Sequence, residues 1–188
     1  MIAQRTDAAA PRGVDPAAGP LPGTFPSNLT EWAGTRGLLR AVEDATAHAG
    51  GDSWLNLVRD HPSPTTRQDL MVVVAYCYLQ GIYHSMDVVR CLESDELLHP
   101  WRGRLNVRPE QIRRFRRDHR RALADCLTRS LLNLWRHCQP TSWGAASAAL
   151  SNHLLENRMR FTLLEPFYLE AQDRLDRAVI LDSMALDY

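Results

Sequence analysis

Leu70-Met71-Val72-Val73-Val74-Ala75-Tyr76-Cys77-Tyr78-Leu79 is an unbroken apolar and aromatic run closed by Gln80-Gly81. Thr65 and Thr66 ahead of it offer helix N-caps, Asp69 suits a first turn beside the positive end of a helix dipole, and Gly81 supplies the left-handed residue that commonly ends a helix. A buried strand is the rival reading, because Val72-Val73-Val74 is β-branched. The run's length between a cap and a glycine favours a helix. A helix that is apolar on every side has to be surrounded by others, so the run is predicted as the central buried helix of an all-α domain.

Working outward towards the N-terminus, Leu29, Trp32, Leu38, Leu39 and Val42 keep a helical spacing that Gly50-Gly51 ends. Asp52 or Ser53 caps a short helix carrying Trp54, Leu57 and Val58, broken by Pro62 and Pro64. Residues 1–27 are dominated by Ala, Pro and Gly and hold little that a core could use, so they are expected to form a disordered arm outside a single helical domain over 28–188.

Towards the C-terminus, Ser85 is expected to cap a short helix through Val88, Val89 and Leu92 that the acidic residues 93–96 and Pro100 close. A basic loop, Trp101-Arg102-Gly103-Arg104, leads to Pro109, which is well placed at a first helical position. From there to about His137 no helix breaker occurs, which predicts one helix roughly 43 Å long. Residues 145–149 start another helix expected to break near Pro166. A final amphipathic helix over 167–185 has Leu175, Val179 and Leu186 apolar and Asp173, Arg174, Asp176 and Arg177 polar. No internal repeat and no alternating strand pattern is present.

Whole-chain composition is that of an ordinary globular protein, with 45% hydrophobic and 23% charged residues and a formal net charge of zero. All 22 basic residues are arginine. Cys77, Cys91, Cys126 and Cys138 form no C-x-x-C and lie mostly in apolar helical patterns, which predicts free thiols and a reducing, cytoplasmic setting. No run is long enough to span a membrane, and the N-terminus lacks the order of a secretory signal.

The charge is unevenly placed. Arg102, Arg104, Arg108, Arg113, Arg114, Arg116, Arg117, Arg120 and Arg121 face only Glu110 and Asp118 in the same stretch. At about 100° per residue, Ile112, Phe115, His119, Ala122, Leu123 and Cys126 gather on one side, and the arginines from 113 to 121 are expected to spread over the other. Guanidinium groups pair well with phosphate oxygens, and in the major groove with guanine O6 and N7. These nine arginines are therefore the candidate contacts to double-stranded DNA. The short helix from Ser85 and the arginine helix from Pro109 make a loose helix-turn-helix-like pair. An acidic protein partner or a plain solvated helix face are the competing readings of the same charge run.

The order of these features resembles the N-terminal domain of bacterial insertion-sequence transposases. A Leu-rich helix ends in a Gly-to-Ser turn, here Gly81-Ile82-Tyr83-His84-Ser85, and an Ile-x-x-Phe-Arg-x-x-His signature follows, here Ile112 to His119. The resemblance covers about residues 36–137 and implies a bacterial, helical, nucleoid-associated module that helps recognise the terminal inverted repeats of a mobile element. It would carry DNA contact onto Arg113, Arg114, Arg116, Arg117 and Arg120. Members of that family continue into a ribonuclease-H-like domain whose three acidic residues hold two metal ions. The chain stops at Tyr188, so it is expected to be non-catalytic. Asp182, after Ala178-Val179-Ile180-Leu181, superficially resembles the first such acid but continues a helical pattern.

No other chemistry stands out. The histidines at 48, 61, 84, 99, 119, 137 and 153 form neither His-Glu-x-x-His nor a zinc quartet with cysteine, and no Gly-rich phosphate loop is present. No cofactor, metal or small-molecule substrate is expected. A different class of function is a protein-interaction module in which the closing helix from Phe167 and the long arginine helix pair into a homodimer. Half of a split transposase is the third reading.

Overall fold

The computed structural model describes residue 25 and residues 29–49, 64–138 and 159–185. Among them are seven α-helices and no strand: α1 (Leu29–Ala49), α2 (Pro64–Leu79), α3 (Ser85–Ser94), α4 (His99–Arg102), α5 (Pro109–Asp118), α6 (Arg120–Cys138) and α7 (Met159–Met184). A 3-10 turn, Glu96–Leu98, joins α3 to α4. The fold is all-α, as the sequence pattern predicts. The short helix expected around Trp54 and the one expected over 145–149 lie outside the described residues. Of the arm over 1–27 only Phe25 is described, and it packs edge-on against Phe167 with ring centroids 5.4 Å apart. That one aromatic gives the arm a contact with the core that its bulk composition did not suggest.

Every residue of 70–79 is buried, and α2 touches α1, α3, α6 and α7. Its end follows from Gly81, whose φ of +83° is cheap only without a Cβ. Around that residue the Gly81 amide donates to the Tyr78 carbonyl at 3.2 Å and the Ile82 amide to Cys77 at 2.9 Å, the paired bonds of a Schellman stop. The last carbonyls of α2 have a second partner. Arg174 of α7 donates through Nη1 to the oxygens of Tyr78 at 2.8 Å and Leu79 at 3.3 Å, placing a cation where the helix dipole favours one.

The most extensive packing is of α1 on α6, followed by that of α6 on α7, and α3 packs chiefly on α5. Within α1 the chain kinks at Gly34, at φ 70° and ψ 155°, a conformation that essentially only glycine adopts.

Five sequence expectations about elements need correction. α2 opens at Pro64, so Thr65 and Thr66 lie inside the helix instead of capping it, and Asp69 lies beyond its first turn. The single long helix from Pro109 is two helices, because His119 leaves helical geometry at φ −119° and ψ 24°. No residue at that position is a helix breaker, and nothing among the described residues explains the break; the His119 ring lies 4.9 Å from that of Phe115, and both are buried. The basic loop is partly helical, since Pro100 opens α4 instead of closing the preceding helix and the Trp101 indole donates to Asp69 at 3.1 Å. Ser85 is the first helical residue of α3, and the N-cap position belongs to His84. Finally, α7 runs through Pro166. Proline costs a helix one backbone bond and a steric clash, and burial of Phe167 between Phe25 and Trp135 holds the segment helical beyond it.

Candidate nucleic-acid interface

The arginine helix α5 is anchored by Ile112, Phe115, Arg116 and His119, all buried. Arg116 is thus a correction to the expected site. At about 100° per residue it lies only about 40° from Ile112 on the helical wheel, on the flank of the apolar face. Its guanidinium contacts the Asp182 carboxylate at 2.7 Å and donates to the Tyr78 hydroxyl at 3.1 Å. Burial alone would lower its pKa, but Tyr78 and Asp182 outweigh burial and hold it above the ordinary arginine value.

Asp182 collects more than Arg116. The Ser85 amide donates to it at 2.8 Å, the Ser85 hydroxyl also donates to it, and His84 Nε2 lies 3.6 Å away. Burial pushes the Asp182 carboxyl up, yet the Ser85 donors and the Arg116 guanidinium together hold it below the usual aspartate range. Ser85 Oγ donates to the carboxylate and not to His84, which is not the nucleophile-and-base arrangement of a hydrolase. The network is a structural joint. It fastens the N-terminus of α3 and the inner side of α5 to the end of α7, and it gives the enclosed Tyr78 hydroxyl the partner that burial demands. Tyr76 finds its own in Asp95 at 2.8 Å.

Seven of the other eight predicted arginines lie on the outside of this joint, in two groups. Arg102 and Arg104 brace the turn around α4: Arg102 donates to the carbonyls of Leu92 and Asp95, each at 3.2 Å, and Arg104 to that of Pro100 at 3.0 Å, with Asp69 3.5 Å away. Both remain exposed. Arg108 precedes α5, where its amide donates to Gln111 Oε1 at 2.8 Å. Along α5, Arg113 pairs with Glu110 at 3.1 Å, while Arg114 and Arg117 share Asp118 at 3.4 Å. Arg114 and Arg117 are still 62% and 77% exposed, so these pairs are loose surface contacts of little energetic weight. Arg121 is exposed in the first turn of α6. The eighth, Arg120, turns instead to α7 and pairs with Asp176.

The break at His119 also changes the electrostatics. In one long helix Arg116 and Arg117 would lie near the N-terminus, against the dipole; in the short α5 they occupy the last turn, where cations are favoured. With Arg116 and Arg120 assigned to the carboxylates of α7, Arg104 to that of Asp69, and Glu110 and Asp118 subtracted, the stretch 102–121 keeps an excess of four positive charges.

Sequence reasoning missed Asp182, Arg174 and the joint between them and α2, α3 and α5. Cys77, Cys91 and Cys126 are buried and all four thiols are free. Among the described residues no group of three or more His, Cys, Asp or Glu side chains is placed to hold a metal ion, and no helix is long and apolar enough to cross a membrane. Comparison with protein-family models, with curated proteins and with solved structures finds no match for the chain.

Proposed function

We propose that the chain is a non-catalytic DNA-binding module related to the N-terminal domain of insertion-sequence transposases, and that it meets the phosphates of duplex DNA through Arg108, Arg114, Arg117 and Arg121, with Arg102, Arg104 and Arg113 at the margins. The observation that carries this reading is the residual excess of four positive charges in the stretch 102–121, borne mostly by exposed arginines. Exposed guanidinium groups loosely tied to neighbouring carboxylates can exchange them for phosphate oxygens at small cost. The resemblance adds the target, the terminal inverted repeats of a mobile element. Its two motifs have a coherent structural meaning here, since Gly81 makes the turn and Ile112, Phe115, Arg116 and His119 form one buried face. On this reading the signature builds the scaffold and the arginines around it make the contact.

The direct test is duplex affinity as a function of salt. Each phosphate contact should steepen the fall of log affinity with log salt by about 0.9, so four contacts predict a slope near −3.6. A slope near zero contradicts the reading.

A second reading, self-association, has its own observation. On α7, Leu169, Ile180, Leu181 and Met184 are 60%, 57%, 42% and 59% exposed, and Ile180, Leu181 and Met184 share one arc of the helix. A second copy of the chain seated on that arc would give a homodimer, as the two-fold layout of inverted DNA repeats would favour. Light scattering that finds a strict monomer at every concentration counts against it.

A further inference from the structure

Beside α5 lies an open groove of about 330 Å³ whose walls come from three places in the chain: Arg67 and Leu70 of α2, residues 104–107 ahead of α5, and Gln111, Arg114, Phe115 and Asp118 of α5 with His119 just beyond it. Arg67, Arg104 and Arg114 all contribute to the lining, Arg104 with Asp69 3.5 Å away and Arg114 with Asp118 3.4 Å away, and Asp118 is the one acidic residue in the lining. Its floor is apolar, built from the buried side chains of Leu70, Leu105 and Phe115. The exposed amides of Asn106 and Gln111 stand at the rim.

We infer that this groove takes one unpaired nucleotide of a DNA strand, its phosphate on the arginines and its base on the apolar floor. This rests on the proposed DNA reading and adds to it a base-binding site at the edge of the phosphate-contacting surface, with which it shares Arg104 and Arg114. Each part of the lining argues for a different part of the ligand. A bare phosphate could exchange for the arginines' present partners but would leave the floor wet, whereas an apolar ligand would waste the arginines and amides. A heteroaromatic ring next to a phosphate uses all three, because guanidinium planes stack on bases and amides bond their edges. A base still paired in a duplex shows only its edge in the grooves, so only an unpaired or extruded base can lie on the floor. Arg114 borders both the groove and the phosphate surface, which would let a strand lying along α5 direct one nucleotide inward.

The test compares the full chain binding a fully paired duplex and the same duplex carrying one bulged nucleotide, at fixed salt, with Asn106→Trp as the groove-filling variant. Asn106 is exposed, so the variant should keep the parent's melting curve. The bulged duplex should bind about tenfold tighter than the paired one, equivalent to about 1.4 kcal/mol. Asn106→Trp should erase that preference and leave paired-duplex affinity within about twofold, and free deoxynucleoside monophosphate should compete only for the preference. Equal affinity for the two duplexes, or a preference that survives Asn106→Trp, overturns the groove site while leaving duplex binding in place. Competition by the free monophosphate without any duplex binding keeps a nucleotide site and overturns its assignment to a DNA strand. Absence of binding to both duplexes and to the monophosphate overturns both readings.

Discussion

The guanidinium of Arg116 and the carboxylate of Asp182 meet at 2.7 Å with their side chains only 7% and 3% exposed. A charge in the last turn of the arginine helix therefore belongs to the interior, and its partner sits at the far end of the chain. Ser85 completes the arrangement by donating both its amide and its hydroxyl to Asp182. The two sequence motifs of the resemblance, the turn ending at Ser85 and the signature containing Arg116, are joined on one carboxylate.

Removing one partner of a buried pair leaves the other charge unsolvated. Asp182→Ala should lower stability by about 3–5 kcal/mol, and Arg116→Leu by a comparable amount, both read from chemical denaturation. Each variant that still folds should bind duplex DNA with the parent's affinity. Loss of DNA affinity in a fully folded Arg116→Leu protein would mean that Arg116 reaches the nucleic acid after all.

The same pair predicts an acid response. Because Asp182 has a folded pKa below its unfolded value, the unfolded chain binds more protons as pH falls, so its contribution is complete above the ordinary aspartate range and is lost as pH drops through the lower folded value. Stability of the parent should therefore fall more steeply below about pH 4 than that of Asp182→Asn. Parallel curves for the two proteins would show that Asp182 titrates normally.

Gly81 tests the end of the central helix. A Cβ there would touch nothing within 4 Å, so the cost of Gly81→Ala comes from the backbone alone at φ +83°. It should be roughly 1–2 kcal/mol, measured as a shift in the denaturation midpoint. An unchanged midpoint would mean that the turn adopts another geometry in solution.

Cys126 is enclosed, and burial pushes its thiol up to about 12, only partly offset by its bond with Ser130 and by nearby Arg129. An inert thiol follows. At neutral pH an alkylating reagent should label Cys126 only at the rate of global unfolding, and labelling in the native state within minutes would place the residue on a mobile surface.

Parts of this fold are legible in the sequence because the signal is local. Residues 70–79 announce a buried helix by lacking any polar face, and Gly81 and Pro109 mark an end and a beginning through their own backbone limits. The break at His119 is invisible to such reasoning, since no residue there disfavours a helix. Arg116 was within reach: a position about 40° from Ile112 belongs to the apolar flank, but its charge invites the opposite reading until a partner is known. Asp182 and Arg174 had no such signal. Their partners, Ser85 at the start of α3 and Tyr78 at the end of α2, lie 97 and 96 residues away in sequence, and one chain gives no means of pairing them.

The measurement that bears most directly on the central claim is the salt dependence of duplex binding by the triple variant Arg114→Gln, Arg117→Gln and Arg121→Gln, set beside the parent. These side chains are exposed and outside the Arg116–Asp182 joint, so the helical content and melting curve should be unchanged. If they carry the phosphate contacts, the variant should lose most of its affinity and its salt slope should flatten by about 2.7, three contacts at about 0.9 each. A folded triple variant that binds duplex DNA with the parent's affinity and slope would show that this arginine surface is merely solvated, and would contradict the account.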